Sequence, residues 1–239
     1  MKIVAMIPTF NERENIIPLI KEIISLPRPE TEVLVVDDDS GDGTWRVVQD
    51  FAASPESGGR VHLLHRLEKR GRGYAGADGF KYAIDKMGAD IVVEMDGDGS
   101  HSPSYIPLMV DAILIGGADI VIGSRYIPGG KDIERSFVRK MVSAFARKYL
   151  SFVLGLKVCD PTSGFRAFTR KALGSFVGKL KSSDPFIVTE VLFYAAKNSL
   201  VVKEIPIEFK ERLSGKSKLK PTTLLKYLVK VWKLKFESD

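Results

Sequence analysis

The feature that most constrains the fold is an alternation of short apolar segments with amphipathic ones through the first half of the chain. Strand-length runs rich in β-branched residues recur at Ile3–Ile7, Val33–Val36, Val61–Leu64, Ile91–Met95 and Ile120–Ile122. Segments with helical periodicity separate them, at Glu14–Ser25, Thr44–Ala52, Tyr74–Lys86 and Tyr105–Ile115. Strands that are apolar on both faces indicate a mainly parallel sheet with helices on each side. The sequence therefore predicts an α/β fold.

The length of 239 residues suits one main core rather than two full domains. The polar segment Ser214–Lys220 is the one candidate linker. We therefore predict a domain over residues 1–215 and a basic amphipathic helix within residues 216–239. No apolar run approaches the ~20 residues that a membrane-spanning helix needs, so no transmembrane helix is expected.

Compartment and partner class follow from cysteine usage and charge. Cys159 is the only cysteine, so an internal disulfide is excluded and a reducing compartment is the simpler expectation. Met1–Pro8 reads as a buried strand rather than a signal peptide, which favours a cytoplasmic location. The net charge of +6 suits an anionic partner, whether a phosphate substrate, a nucleic acid or an acidic lipid surface.

Polar residues cluster where four of the predicted strands end. They are Pro8–Glu12 after the first strand, Asp37–Gly43 after the second, Asp96–Asp98 after the fourth and Gly123–Tyr126 after the fifth. Ligands of parallel sheets bind outside the carboxyl ends of the strands. These four segments are therefore predicted to meet at one edge of the sheet and to form a site there.

Asp96-Gly97-Asp98 places two carboxylates two residues apart at the end of an apolar strand. Mutual repulsion between them is relieved if a divalent cation binds, and hard carboxylate oxygens suit Mg²⁺ or Mn²⁺ together with substrate phosphates. Gly97 would let a diphosphate approach the backbone closely. The alternative is a turn that caps a helix starting near Ser102 and Pro103.

Asp37-Asp38-Asp39 adds a second acidic cluster at a neighbouring strand end. At least one of these carboxylates is expected to face the cleft and to accept hydrogen bonds from a ribose hydroxyl or a base N–H. If strand geometry persists, the side chain of Asp38 points opposite to those of Asp37 and Asp39, and a solvated turn is the alternative for Asp38. Asp37 and Asp39 are therefore the predicted nucleotide-binding residues.

Together these segments resemble motifs of the inverting family 2 glycosyltransferases, in particular the dolichyl-phosphate mannose synthase type. The likeness extends through Arg139–Ser143, Asp160–Arg166 and Arg212–Lys218, and so covers nearly the whole chain. The resemblance implies a GT-A fold with a Rossmann-like nucleotide-binding half followed by an acceptor-binding half. It also implies inverting transfer of mannose from GDP-mannose to dolichyl or polyprenyl phosphate.

The resemblance assigns donor-site roles by position. Pro8, Phe10 and Glu12 would border the nucleobase, and Asp39 the base or ribose. Asp98 would be the principal metal ligand, with Asp96 on the nucleotide or the metal. Ser100 stands where some relatives place a second ligand, and is included among the predicted metal ligands.

A phosphate acceptor is already largely ionised at neutral pH, so no dedicated general base is expected. Catalysis then requires cations that hold two mutually repelling anions. The resemblance places Arg125, Arg139, Arg212 and Lys218 near donor or acceptor phosphates, with Ser143 as a hydroxyl donor. Arg125, Arg139 and Ser143 form the predicted acceptor-phosphate site. Asp98, Arg125 and Arg139 are the predicted catalytic residues.

Two basic amphipathic segments indicate contact with a membrane surface. Ser136–Leu156 reads as one helix with aromatic residues at three- and four-residue steps, and Thr222–Phe236 repeats the pattern with several lysines. Such helices lie in the interfacial plane of anionic bilayers, although an apolar stripe packed on the core is the alternative. A peripheral enzyme on the cytoplasmic face of a membrane is predicted, with a separate membrane-anchoring subunit as a possible partner.

Three other functions compete with this interpretation. UDP-glucose could replace GDP-mannose as donor to the same lipid phosphate. A processive polysaccharide synthase is disfavoured, because Gln49 is the only glutamine and no Gln-x-x-Arg-Trp motif occurs. A basic nucleotide- or nucleic-acid-binding module would explain the charge. Paired acids at strand ends would repel a phosphate backbone, however, so no nucleic-acid partner is expected.

Overall fold

A seven-stranded sheet runs through the computed structural model, which describes residues 1–28, 30–132, 137–209 and 221–236. The side chains of residues 137–140, 142, 143 and 221–226 are outside this description. The strands are β1 (Ile3–Thr9), β2 (Thr31–Asp37), β3 (Val61–His65), β4 (Ile91–Glu94), β5 (Ile120–Ser124), β6 (Lys131–Asp132), β7 (Arg166–Thr169), β8 (Val202–Pro206) and β9 (Glu208–Phe209). The helices are α1 (Arg13–Ile24), α2 (Thr44–Ala53), α3 (Arg72–Asp85), α4 (Ile106–Leu114), α5 (Phe137–Leu154), α6 (Arg170–Phe176), α7 (Ile187–Lys197) and α8 (Pro221–Phe236).

The predicted mainly parallel sheet is confirmed. Its strand order is β3-β2-β1-β4-β7-β5-β8, and β7 alone among these strands runs antiparallel to its neighbours. The five predicted strands correspond to β1 to β5, and the carboxyl ends of β2, β1 and β4 lie side by side. β6 and β9 form a separate two-stranded parallel ladder.

The sheet carries an apolar core on each face, because successive side chains of a strand point to opposite sides. On β1, Val4 and Met6 contribute to one core, while Ile3, Ala5 and Ile7 contribute to the other. Helices α3, α5, α6, α7 and α8 cover the first face, and α1, α2 and α4 cover the second. All seven residues of β1 are buried, which explains its continuous apolar run.

The carboxyl-terminal helix α8 packs on the first of these cores. Val231 is fully buried, and the Tyr149 hydroxyl of α5 donates to the Leu228 carbonyl oxygen over 3.1 Å. The predicted linker and the domain boundary at residues 215 and 216 lie outside the described residues. The inner face of α8 thus adds to the core of the main domain.

Among the described residues, no helix is both long enough and apolar enough to cross a bilayer.

Candidate active site

A cavity of about 170 Å³ opens at the carboxyl edge of the sheet, where β1, β2 and β4 end and α3 begins. It brings together residues from four separate segments of the chain. Its lining consists of Pro8, Thr9, Phe10, Glu12, Asp38, Arg72, Ala75, Asp96, Gly97 and Asp98. Six of the predicted donor-site residues therefore line one cavity: Pro8, Phe10, Glu12, Asp96, Gly97 and Asp98.

Asp96 and Asp98 follow β4 in a turn that the cavity exposes on one side. Asp98 is 4% exposed, and its Oδ1 accepts a hydrogen bond from the Ser100 N–H over 3.1 Å. Asp96 Oδ1 lies 3.6 Å from Arg72 Nη2, and Asp96 Oδ2 lies 3.9 Å from His101 Nδ1. Burial lowers the pKa of His101, although Asp96 and Asp98 oppose that shift, so the imidazole is held in its neutral form.

Two glycines give the turn its close contacts. A Cβ at Gly97 would lie 3.1 Å from Thr9 Cγ2 and 3.3 Å from Ile7 Cγ2, so the turn presses against β1. A Cβ at Gly164 would lie 3.3 Å from Asp96 Oδ2, so the loop before β7 passes directly beside this carboxylate. A side chain at either position would therefore push its neighbours aside by a few tenths of an ångström.

The residues of this turn fit a divalent cation that also binds a substrate. Among the described residues, no group of three or more His, Cys, Asp and Glu side chains could hold a metal. A cation at Asp96 and Asp98 would therefore complete its coordination with water and phosphate oxygens, as Mg²⁺ commonly does. Hard carboxylate oxygens exclude metals that require thiolate or imidazole.

Ser100, the third predicted metal ligand, has a different environment. It lines a second cavity, of about 510 Å³, together with residues of α1 such as Glu14 and with Tyr105. Its hydroxyl oxygen is buried and has no hydrogen-bond partner. The structure therefore brings Asp96 and Asp98 together in one cavity and places Ser100 beside the other.

The three consecutive aspartates after β2 have three different environments. Asp37 is fully buried, and its carboxylate accepts hydrogen bonds from Thr9 Oγ1, the Ser40 N–H and Ser40 Oγ over 2.8, 2.8 and 2.7 Å. Asp37 thus holds the turn together from within. Asp37 does not line this cavity, and its predicted nucleotide contact stays a prediction.

Asp38 is the member of the trio that lines the cavity. It is 4% exposed, forms an ion pair with Arg66 and accepts a hydrogen bond from the Gly71 N–H over 2.7 Å. The expectation of a solvated turn at Asp38 is therefore wrong. Asp39 adopts φ 55° and pairs with Arg70. The chain leaves strand geometry there, so the alternation that predicted a cleft-facing Asp37 no longer applies.

Arg125 is engaged by Asp160 instead of facing an open phosphate site. Its Nε and Nη2 donate to the two carboxylate oxygens over 2.7 and 2.8 Å, and Nη2 also donates to Thr162 Oγ1 over 2.9 Å. The side chain is 5% exposed. In this geometry Arg125 secures the loop that carries Gly164 beside Asp96. Its predicted role in catalysis and acceptor-phosphate binding stays a prediction.

This buried pair shifts both pKa values. Burial alone would lower the pKa of Arg125, but the hydrogen bonds and charge of Asp160 outweigh burial and raise it. Burial alone would raise the pKa of Asp160, but Arg125 outweighs burial and lowers it. Both groups are therefore held in their charged forms.

Four predicted phosphate-binding residues have no described side chain. Arg139 and Ser143 lie on α5, but their side chains are outside the described part of the structure. Arg212 and Lys218 lie outside the described residues altogether. The acceptor-phosphate site thus stays a prediction.

Sequence reasoning missed Arg72. Arg72 lines the cavity, and Glu190 is 4% exposed, with its oxygens accepting from the Lys181 and Ser182 N–H groups over 2.9 and 3.1 Å. A signal for Arg72 was present, because it lies between Gly71 and Gly73 at the start of a helix, where anions bind readily.

Comparison with known proteins identifies relatives along nearly the whole chain. The model of glycosyl transferase family 2 matches residues 4–176. Polyprenol monophosphomannose synthase of Mycolicibacterium smegmatis is 37% identical, over 98% of this chain and 88% of that protein. Undecaprenyl-phosphate mannosyltransferase of Micrococcus luteus is 39% identical, over 92% and 88%. Dolichol-phosphate mannosyltransferase of Pyrococcus furiosus is 37% identical, over 100% of this chain and 65% of that protein.

Solved structures share the fold. Glucosyl-3-phosphoglycerate synthase from Mycobacterium tuberculosis, in complex with Mn²⁺, UDP and glucosyl-3-phosphoglycerate, superposes with a TM-score of 0.66 at 22% identity. The match covers 98% of this chain and 78% of that one. The same enzyme in complex with phosphoglyceric acid gives 0.66 at 23% identity, over 99% and 79%. The expected GT-A architecture is thereby confirmed.

Proposed function

Because the chain belongs to glycosyl transferase family 2, we propose that it transfers mannose from GDP-mannose to a polyprenyl phosphate of the dolichyl type, with inversion. The choice of mannose as the sugar and polyprenyl phosphate as the acceptor rests on one observation. The chain is 37–39% identical to three relatives that are named for mannosyl transfer to polyprenyl phosphates. The acidic cavity at the sheet edge supports a nucleoside diphosphate sugar as the donor. The carboxylates of Asp96 and Asp98 are suited to bind a divalent cation, and a cation at this edge suits a diphosphate.

The donor site is proposed at this cavity. Asp96 and Asp98 would hold Mg²⁺ or Mn²⁺, which when bound neutralises the leaving diphosphate. Phe10 is 58% exposed at the cavity and offers a ring face to the nucleobase. Glu12 and Asp39 supply carboxylates for base or ribose. A relative of the same fold that was crystallised with Mn²⁺ and UDP supports this assignment.

The acceptor needs orientation more than activation. An oxygen of the lipid phosphate attacks the anomeric carbon, the bond from that carbon to the diphosphate oxygen breaks, and a nucleoside diphosphate leaves. The second pKa of a phosphate monoester is near ~6, so the nucleophile is already ionised. Glu190 stands where other family 2 enzymes keep a catalytic base, but both its oxygens accept hydrogen bonds from backbone N–H groups, which fits a reaction that needs no general base. Arg125, Arg139 and Ser143 stay the proposed acceptor-phosphate residues, and Arg212 and Lys218 stay the proposed contacts to the nucleotide sugar.

A membrane-facing surface is proposed on α5 and α8, which together expose large apolar side chains. The exposed fraction is 59% for Met141, 86% for Phe152 and 65% for Phe236. Phe145 and Trp232 are also exposed, and so are the nearby Lys148, Lys233 and Lys235. Aromatic and basic side chains on helices that lie against a core suit the interface of an anionic bilayer. The proposed location is therefore the cytoplasmic face of a membrane, reached peripherally.

Asp98→Ala tests the proposed chemistry. Loss of this carboxylate should lower the rate of mannosyl transfer from GDP-mannose to a short-chain polyprenyl phosphate by more than about 100-fold, because the leaving diphosphate loses its cation. Asp50→Ala removes an exposed carboxylate on α2 and should leave the rate unchanged. Full activity of folded Asp98→Ala, or transfer from UDP-glucose alone, would reject the proposal.

A further inference from the structure

Arg72 is the only cationic side chain among the described residues that line the cavity with Asp96 and Asp98. It is the first residue of α3, a helix of 14 residues whose amino end therefore opens toward the cavity. Its side chain is 22% exposed. The cavity thus holds one partly accessible guanidinium beside the two carboxylates of the proposed cation site.

Glu94 fixes the orientation of this guanidinium. Arg72 Nη2 donates to Glu94 Oε1 over 2.8 Å and lies 3.6 Å from Asp96 Oδ1. Glu94 is 2% exposed at the end of β4. A permanent positive charge is therefore held at the edge of Asp96.

The backbone on each side of Arg72 packs closely against the loop that contains Ser182 and Ser183. A Cβ at Gly71 would overlap the Ser183 carbonyl oxygen, and a Cβ at Gly73 would overlap the Ser182 carbonyl oxygen. The Gly73 N–H donates to the Ser183 carbonyl over 3.1 Å. Both positions therefore require glycine, and the close contact with this loop fixes where Arg72 leaves the main chain.

The two arginines nearest to Arg72 in the sequence, Arg66 and Arg70, form ion pairs with other carboxylates. Arg66 donates through Nε to Asp78, through Nη1 to Asp38 and through Nη2 to the Lys69 carbonyl oxygen. Arg70 pairs with Asp39. Since Arg66 neutralises Asp38, the charge left for a cavity ligand comes from Arg72 and from a cation at Asp96 and Asp98.

We propose that Arg72 binds the diphosphate of the donor, next to the cation that Asp96 and Asp98 hold. This inference rests on the donor site proposed above. Glu94 holds the guanidinium at Nη2, and arginine can donate to phosphate oxygens through more than one nitrogen. A diphosphate that bridges to a cation at Asp96 would lie within reach of this guanidinium, because only 3.6 Å separates Arg72 Nη2 from Asp96 Oδ1.

Calorimetric titration of Arg72→Gln with GDP in saturating Mn²⁺, and with Mn²⁺ alone, tests the inference. GDP affinity should fall at least about 10-fold, because a hydrogen-bonded charge is lost, while Mn²⁺ affinity stays within about 2-fold. Arg72→Lys keeps the charge without the planar fork and should show an intermediate loss. Lys81→Gln, an exposed cation on the same helix, should bind GDP like the wild type.

Wild-type GDP affinity in Arg72→Gln or in Arg72→Lys would overturn the inference. An equal loss of Mn²⁺ affinity would also overturn it, because Arg72 would then act only by orienting Asp96. Melting curves verify that each variant is folded. If Arg72→Gln does not fold, the GDP affinity of Arg72→Lys decides the test. Failure of the wild type itself to bind any nucleoside diphosphate would instead reject the proposed donor site.

Discussion

At the scale of single residues, buried acids with cationic partners set the electrostatics around the cavity. Asp160 holds Arg125 in a two-oxygen contact, and Glu94 holds Arg72 beside Asp96. Removing one member of such a pair leaves an uncompensated buried charge, which is far more costly than removing an exposed charge. These acids therefore stabilise the site even where they do not contact a substrate.

Asp160→Asn should destabilise the protein in a pH-dependent way. Arg125 lowers the folded-state pKa of Asp160 below its ordinary value of 3.8. The ion pair therefore stabilises the fold at pH values above that ordinary value and loses its effect as pH falls through the lower, folded-state pKa. We expect a loss of about 3 kcal/mol in the free energy of unfolding at neutral pH. Urea denaturation at a series of pH values measures it, and a gap to the wild type that does not narrow in acid would contradict this linkage.

At the scale of elements, the loop before α7 supports the start of α3. The Glu190 carboxylate accepts hydrogen bonds from the Lys181 and Ser182 N–H groups, and the Ser183 carbonyl oxygen accepts one from the Gly73 N–H. On its other side, Asp184 of the loop pairs with Lys230 of α8. The amino end of α3 is thus held by packing between segments that are more than a hundred residues apart.

Gly73→Ala should damage this contact. The added methyl group would overlap the Ser182 carbonyl oxygen, so we expect roughly 1–3 kcal/mol of destabilisation and weaker binding of GDP with Mn²⁺. Gly174→Ala on α6 is the matched control, since its Cβ would meet nothing within 4 Å. That change should raise stability by up to ~1 kcal/mol. Thermal melting and calorimetry measure both effects, and equal behaviour of the two variants would show that the loop does not constrain α3.

At the scale of the whole molecule, the two faces of the sheet differ. One core packs under α1, α2 and α4, while the other packs under helices that include α5 and α8. The proposed membrane surface lies on the face that α5 and α8 cover. On α8 the burial pattern separates stability from membrane contact, because Val231 is fully buried while Trp232 is exposed.

Trp232→Ser combined with Phe236→Ser should weaken co-sedimentation with anionic liposomes by roughly 10-fold, because two exposed aromatic rings no longer enter the interface. The melting temperature should hardly change. Leu108→Ser combined with Ile115→Ser removes exposed apolar side chains of the opposite face and should leave sedimentation unchanged. Sedimentation of the aromatic double variant at the wild-type level would exclude α8 as a membrane-binding element.

The sequence by itself determined the layered α/β architecture and the edge of the sheet that carries the site. Both depend on local patterns, namely the spacing of apolar residues and the polar segments that follow each strand. The positions of β1 to β5 and the meeting of Pro8, Phe10, Glu12, Asp96 and Asp98 follow from these patterns. The insertion of the antiparallel β7 between β4 and β5 did not follow from them.

Only the tertiary structure decided which charges are used within the protein and which face the cavity. Asp38 lines the cavity while Asp37 does not. Asp160 binds Arg125, which lies 35 residues earlier in the chain, and Arg72 lies beside Asp96. The physical reason is that periodicity is set by neighbours along the chain, whereas the partner of a charge depends on distances between segments that only folding brings together.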